Sequence, residues 1–204
     1  MGNAKSSNSK KKCKLPREDM DYLLEKTCFT EKQIKEWYKG YMKDCPEGSL
    51  TRSKFLDLYS EFFPDSKAKS FYEHVFRTFD EDNSGAIDFK EFLVAISITK
   101  SGEPEEKLAL AFRLYDIDRN GTIEEHEMTE ILKAIYSLVG REPQLESSPK
   151  ERARSIFKKM DTNCDGVLTK DEFVQGCLKD ETLFNMLTTN NCGISTNGKD
   201  SLSE

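Results

Sequence analysis

One twelve-residue pattern occurs three times in this chain, beginning at Asp80, Asp116 and Asp161, and it limits the fold more than any other feature. Each copy has oxygen-bearing side chains at positions 1, 3 and 5, a glycine at 6 and a glutamate at 12. That is the calcium-binding EF-hand loop, which sits between two helices. Ca²⁺ is a hard ion that takes about 6–8 oxygens at roughly 2.3–2.6 Å. Alternate side chains of a tight loop supply the first three ligands. The glycine takes a turn that strains other residues. The carbonyl at 7 adds an oxygen, position 9 contributes directly or through water, and the glutamate closes the shell with two. The predicted ligands are Asp80, Asp82, Ser84, Ala86, Asp88 and Glu91 in the first loop. The second uses Asp116, Asp118, Asn120, Thr122, Glu124 and Glu127, and the third uses Asp161, Asn163, Asp165, Val167, Thr169 and Glu172. Three calcium ions are therefore expected, with Mg²⁺ a candidate occupant when Ca²⁺ is absent.

The loops differ in charge. The first two each offer four carboxylates, whereas the third offers Asp161, Asp165 and Glu172 with Asn163 and Thr169 as neutral partners. Ligand charge helps set affinity, so the third site is expected to be the weakest.

A fourth hand is disabled. The three loops start 36 and 45 residues apart, and 37 residues before Asp80 lies Lys43. Residues 43–54 keep Gly48 at position 6 and apolar Leu50 at position 8. Lys43 and Lys54, however, stand at positions 1 and 12, where carboxylates are needed, and Pro46 stiffens the turn. A cation does not coordinate a cation. Position 8 is also apolar in the active loops (Ile87, Ile123, Leu168), as expected where paired loops share a short antiparallel bridge. The disabled hand is expected to survive as the structural partner of the loop at Asp80. The predicted fold is all-α: two lobes of paired EF-hands, four hands with the first degenerate, and short β bridges between paired loops. The expected layout is a basic arm over 1–20, a first pair over 21–99, a hinge over 100–104, a second pair over 105–188 and a flexible tail over 189–204. Gly102 and Pro104 in the hinge break the helix and predict a short bend, with Pro104 in the next helix's first turn.

These residues resemble a known family. Glu36-Trp37-Tyr38-Lys39-Gly40, then Asp44-Cys45-Pro46 and Gly48, are similar to the neuronal calcium sensors, as are Phe62-Phe63-Pro64, Phe76 to Asp80 and Lys133 to Tyr136. The likeness covers roughly 15–187 and is strongest to the frequenin, neurocalcin and visinin-like branch. The basic arm is longer than that pattern, and the tail after Leu187 matches no branch. The resemblance implies a sensor that opens on binding Ca²⁺ and exposes an apolar groove for an amphipathic target helix. It implies that Trp37, Tyr59, Phe63, Phe89 and Phe92 line that groove, and it implies an acyl chain buried without Ca²⁺ and extruded with it. Not all relatives switch, so constitutive attachment stays open.

The first residues fit a lipid anchor. Met1-Gly2-Asn3-Ala4-Lys5-Ser6 matches the myristoylation pattern at Gly2. One myristoyl chain binds membranes only marginally, so a second signal is needed. Lys5, Lys10, Lys11, Lys12, Lys14 and Arg17 lie in the first 17 residues with no acid among them, a charge suited to an anionic membrane surface. Cys13 is an alternative second signal, through palmitoylation.

Other functions lack residues to carry them. The chain is acidic, net −6, so nucleic acid is an unsuitable partner. No apolar run reaches about 18 residues, and no signal peptide is seen. The six cysteines form no disulfide framework, which suits reducing cytosol. His74 and His126 join no cysteine cluster, and no nucleophile–base pair or phosphate loop occurs, so neither an enzyme nor a small-molecule substrate is expected. The expected protein is a cytoplasmic calcium sensor, peripheral on membranes through its anchor, that regulates a membrane-associated target. A calcium buffer and a constitutive regulatory subunit of a channel or phosphatase are the alternatives.

Overall fold

The computed structural model describes residues 14–62, 69–138 and 147–188, and the backbone only at 59–62. Each loop lies between two helices. In the first lobe, α1 (Arg17–Lys26) precedes the disabled hand, formed by α2 (Glu31–Asp44), β1 (Ser49–Thr51) and α3 (Arg52–Phe62). The next hand is α4 (Lys69–Phe79), β2 (Ala86–Asp88) and α5 (Phe89–Ser101). In the second lobe, α6 (Pro104–Tyr115), β3 (Thr122–Glu124) and α7 (Glu125–Leu138) form one hand. The last is α8 (Pro149–Met160), β4 (Val167–Thr169) and α9 (Lys170–Lys179), followed by α10 (Glu181–Thr188).

The helices start where the chain supplies caps. Thr30 with Gln33, Asp88 with Glu91, Ser148 with Glu151 and Thr169 with Glu172 form capping boxes at α2, α5, α8 and α9. In such a box each side chain satisfies a backbone N–H of the first turn that has no helical partner. In two of the boxes the pair is also positions 9 and 12 of a calcium loop, so the end of the loop is the start of the helix.

Paired loops meet through two-stranded antiparallel bridges. Leu50 stands opposite Ile87, and Ile123 opposite Leu168. All four are buried, which explains the apolar residue at position 8. Around each bridge the helices bury aromatic and branched side chains, such as Phe55, Phe71 and Phe76 in the first lobe and Leu108, Tyr115, Ile131 and Phe173 in the second. Each fully buried side chain of this kind contributes roughly 1.5–3 kcal/mol.

Two helices extend the expected plan. α1 begins at Arg17 and buries Met20 and Leu23 against α2 and α5, so part of the expected arm belongs to the first lobe. α10 packs on α6 and α9 through Leu183 and Leu187. The hinge is short: α5 ends at Ser101, Gly102 caps it, and Pro104 is the first residue of α6. The two lobes touch, with α4 against α6 and α7.

Candidate metal centres

In the first loop, α4 delivers Asp80 and α5 returns Glu91. Asp80, Asp82 and Glu91 bring carboxylate oxygens within 4.8 Å of one another. The backbone shapes the cluster. Asp80 Oδ2 accepts from the Gly85 N–H at 3.0 Å, and Asp82 Oδ1 accepts from Ser84 N–H at 2.9 Å. Glu91 Oε1 accepts from Glu81 N–H at 2.8 Å, and its Oε2 from Asp88 N–H at 2.9 Å. Gly85 has φ +83°, the left-handed turn the pattern requires. The N–H of Ser84, then its hydroxyl, hold the Asp82 carboxyl below the usual range.

The second loop repeats this geometry at greater depth. Asp116, Asp118 and Glu127 converge within the same 4.8 Å. Asp116 is 6% exposed and Glu127 only 2%. Glu127 Oε1 accepts from Ile117 N–H at 2.8 Å, and Oε2 from Glu124 N–H at 2.9 Å. Asp116 Oδ2 accepts from Gly121 N–H at 3.1 Å, while Asp116 Oδ1 is buried with no hydrogen-bond partner. An orphaned buried carboxylate oxygen beside two further carboxylates is unfavourable unless a cation sits among them. The donor set is all oxygen, which suits Ca²⁺ or Mg²⁺ and not a softer metal. The residues present therefore fit the ion.

The third loop is looser. Asp161 Oδ2 accepts from Gly166 N–H at 3.0 Å, and Asp165 Oδ1 from Val167 N–H at 3.0 Å. Glu172 accepts from the Thr162 and Thr169 hydroxyls, both at 2.9 Å. The Thr169 N–H, then its hydroxyl, push the Glu172 carboxyl down to about 2. Asp161 is only half-buried, unlike Asp80 and Asp116. Among the described residues, three acidic groups gather within 4.8 Å in the first two loops but not in this one. Asn163 instead donates to Asp165 Oδ2 at 2.8 Å.

In the disabled hand Lys43 is exposed and Gly48 has φ +87°. The hand is tied to its partner by Tyr41, whose hydroxyl donates to the Ile87 carbonyl at 2.7 Å.

The aromatic residues expected at a groove separate. Trp37 and Phe92 are half-buried and meet edge-on at 6.0 Å between centroids, with Phe29 6.1 Å from Trp37 and the Lys100 ammonium 5.7 Å from its ring centroid. Phe89 is buried between Tyr38 and Tyr41. Phe63, the Tyr59 side chain, Gly2, Cys13 and the lysines at 5 and 10–12 lie outside the described residues. Among the described residues, no helix is long and apolar enough to cross a membrane.

Three arginines, none at an expected calcium-ligand position, stand between the first two loops. Arg77, Arg113 and Arg119 line a cleft of about 200 Å³ with Thr78, Glu81 and Asp116. Arg119 occupies position 4, where the loop pattern specifies nothing.

Comparison with known proteins agrees with this geometry. Family models described as an EF-hand domain pair match residues 47–99 and 105–178. The chain is 38% identical to recoverin of Homo sapiens over 192 residues, covering 92% of this chain and 93% of that protein. It is 38% identical to S-modulin of Aquarana catesbeiana, covering 92% of each. It is 44% identical to neuronal calcium sensor 1 of Lymnaea stagnalis over 182 residues, covering 88% of this chain and 95% of that protein.

Proposed function

The chain belongs to the neuronal calcium sensor family and is a calcium sensor of the EF-hand type, not an enzyme; from that premise we propose that it binds up to three Ca²⁺ ions and relays them to a membrane-associated target. The observation that carries the calcium assignment is the pair of convergent carboxylate clusters, one with an unpartnered buried oxygen at Asp116. When bound, the ion supplies the charge that lets these carboxylates sit together. Asp80, Asp82, Ser84, Asp88 and Glu91, with the Ala86 carbonyl, hold the first ion. Asp116, Asp118, Asn120, Glu124 and Glu127, with the Thr122 carbonyl, hold the second. The third set is Asp161, Asn163, Asp165, Thr169 and Glu172 with the Val167 carbonyl, and it is the weakest site: fewer charges, a more exposed Asp161 and carboxylates that do not converge all point the same way. Mg²⁺ occupies sites when Ca²⁺ is scarce.

Output follows from opening of the hands. Ca²⁺ separates the helices of the hands that bind it and uncovers apolar surface for an amphipathic helix. Trp37 and Phe92, half-buried beside each other, are the described side chains placed to serve such a surface. Gly2 carries a myristoyl group, and the basic arm supplies the second signal that holds the protein on an anionic membrane.

Calorimetry on Glu91→Gln, Glu127→Gln and Glu172→Gln tests the ion count and ranking. Each variant should lose one ion, and Glu172→Gln should remove the weakest. Loss of the tightest site with Glu172→Gln would refute the ranking. Liposome co-sedimentation of acylated protein and unacylated Gly2→Ala, with Ca²⁺ or chelator, tests the output. Binding that needs both acyl chain and Ca²⁺ establishes a switch. Equal binding in chelator means permanent attachment, with the signal acting on the target alone. No binding by the acylated form under either condition refutes the anchor.

A further inference from the structure

The two lobes are joined by arginines that reach across the boundary in both directions. From the first lobe, Arg77 donates through Nη2 to the Leu114 carbonyl at 2.7 Å and through Nη1 to the Ile117 carbonyl. From the second lobe, Arg119 donates through Nη2 to the carbonyls of Arg77 and Asp80, the latter at 2.7 Å. Arg113 donates through Nη2 to the Thr78 carbonyl at 2.9 Å and through Nη1 to Glu81 Oε1 at 3.0 Å.

These acceptors lie at the ends of α4 and α6, the two helices that run into the first and second loops. The last carbonyls of a helix have no intrahelical donor and carry the negative end of its dipole. Cations from one lobe cap the incoming helix of the other. The register is also telling. Asp80 and Glu81 are positions 1 and 2 of the first loop, and Ile117 and Arg119 are positions 2 and 4 of the second. Arg119 stands in a left-handed turn, φ +62°, between Asp118 and Asn120, two residues expected to hold an ion.

We propose that Arg119 is a positioning residue that couples ion occupancy of the loop at Asp116 to that of the loop at Asp80, making calcium binding cooperative across the lobe boundary. This rests on the assignment of 80–91 and 116–127 as calcium loops. An ion drawn into the second loop fixes the backbone on both sides of Arg119 and so fixes its guanidinium. The guanidinium in turn holds the Asp80 carbonyl, and with it the residue whose carboxylate begins the first site. By linkage the reverse coupling is equal. A competing effect runs the other way, because a guanidinium beside a cation site repels the cation. Coupling, not affinity, is therefore the quantity that reports the role.

Calcium titration followed by Trp37 fluorescence reads the first lobe, since the chain has one tryptophan. In the otherwise native chain, Glu127→Gln should weaken first-lobe binding about 5-fold or more, the lower end of ordinary allosteric coupling. In a chain carrying Arg119→Ala, the same change should shift it less than about two-fold. Arg119→Lys keeps the charge but loses the planar fork and should behave like alanine; as the milder change, it also guards against misfolding. Hydrogen exchange gives a second readout. In Glu91→Gln protein, Ca²⁺ should slow amide exchange at 80–82 only when Arg119 is present. An equal drop in both backgrounds, or no drop in the native one, overturns the proposal. Failure of the loop assignment looks different: Glu127→Gln would then leave the number of bound ions unchanged in calorimetry.

Discussion

Gly102→Ala separates two physical expectations of opposite sign. Gly102 follows α5 with φ −66° and ψ 149°, a conformation open to any residue. On backbone grounds alone, alanine would stabilise the protein by about 0.4–1 kcal/mol by restricting the unfolded chain. The surroundings argue otherwise. A Cβ built there meets the Ile98 carbonyl oxygen at 2.6 Å and the Ile98 Cα at 2.9 Å. Both are backbone atoms, so no side chain can swing away. The same carbonyl accepts the Gly102 N–H at 2.9 Å, closing the last turn of α5. Relief requires opening that hydrogen bond, at about 0.5–1.5 kcal/mol, and shifting the turn, with overpacking of this kind costing about 1–3 kcal/mol. The net is a destabilisation of about 0.5–4 kcal/mol once the entropic gain is subtracted. Urea unfolding in chelator should show the midpoint falling by about 0.25–2 M at unchanged slope. An unchanged or raised midpoint would refute the reasoning and show that the hinge yields freely.

Tyr41→Phe should cost about 1–2 kcal/mol, because the buried Ile87 carbonyl loses its hydroxyl donor; urea unfolding in chelator measures it, and an unchanged midpoint would mean that the hydroxyl adds nothing. His74 in α4 lies near Glu73, Arg77 and Glu130, and burial, then the Arg77 charge, lowers its pKa. The unfolded chain therefore takes up a proton first as pH falls. Stability that is intact above about 6.5 should decline below it, and His74→Gln should show a shallower fall between pH 7 and 5.5 in thermal melts; parallel curves would count against it. Burial raises the Cys45 thiol and pushes Cys177 up to about 12, whereas the Ser97 hydroxyl lowers exposed Cys28. A disulfide reagent at neutral pH should label Cys28 quickly and Cys177 only on unfolding; fast labelling of Cys177 would show that α9 opens readily.

Much of the fold was legible because the calcium loop is a local object. Its expected ligands lie within twelve consecutive residues, and the same positions 9 and 12 start the following helix, as Asp88 with Glu91 and Thr169 with Glu172 show. The apolar residue at position 8 announced which faces of the loops would pair. α1 was harder to see. Arg17 continues the basic arm in sequence, and only packing against α2 and α5 makes Met20 and Leu23 part of a core. α10 had a fainter signal, Leu183 and Leu187 one turn apart with Asp180 accepting from the Thr182 and Leu183 N–H groups.

By itself the sequence determined the repeat, the loss of ligands at Lys43 and Lys54, and the ranking of the loops by charge, since each follows from residue types at short fixed spacings. Tertiary structure alone decided which expected ligands sit deep and which of the aromatics expected at a groove remain half-open: Phe89 is enclosed by tyrosines from α2, while Trp37 and Phe92 are half-buried. It also decided that Arg119 would bond the carbonyl of Asp80, 39 residues away. No spacing rule reaches that far, because the contact exists only where hands of the two lobes lie against each other.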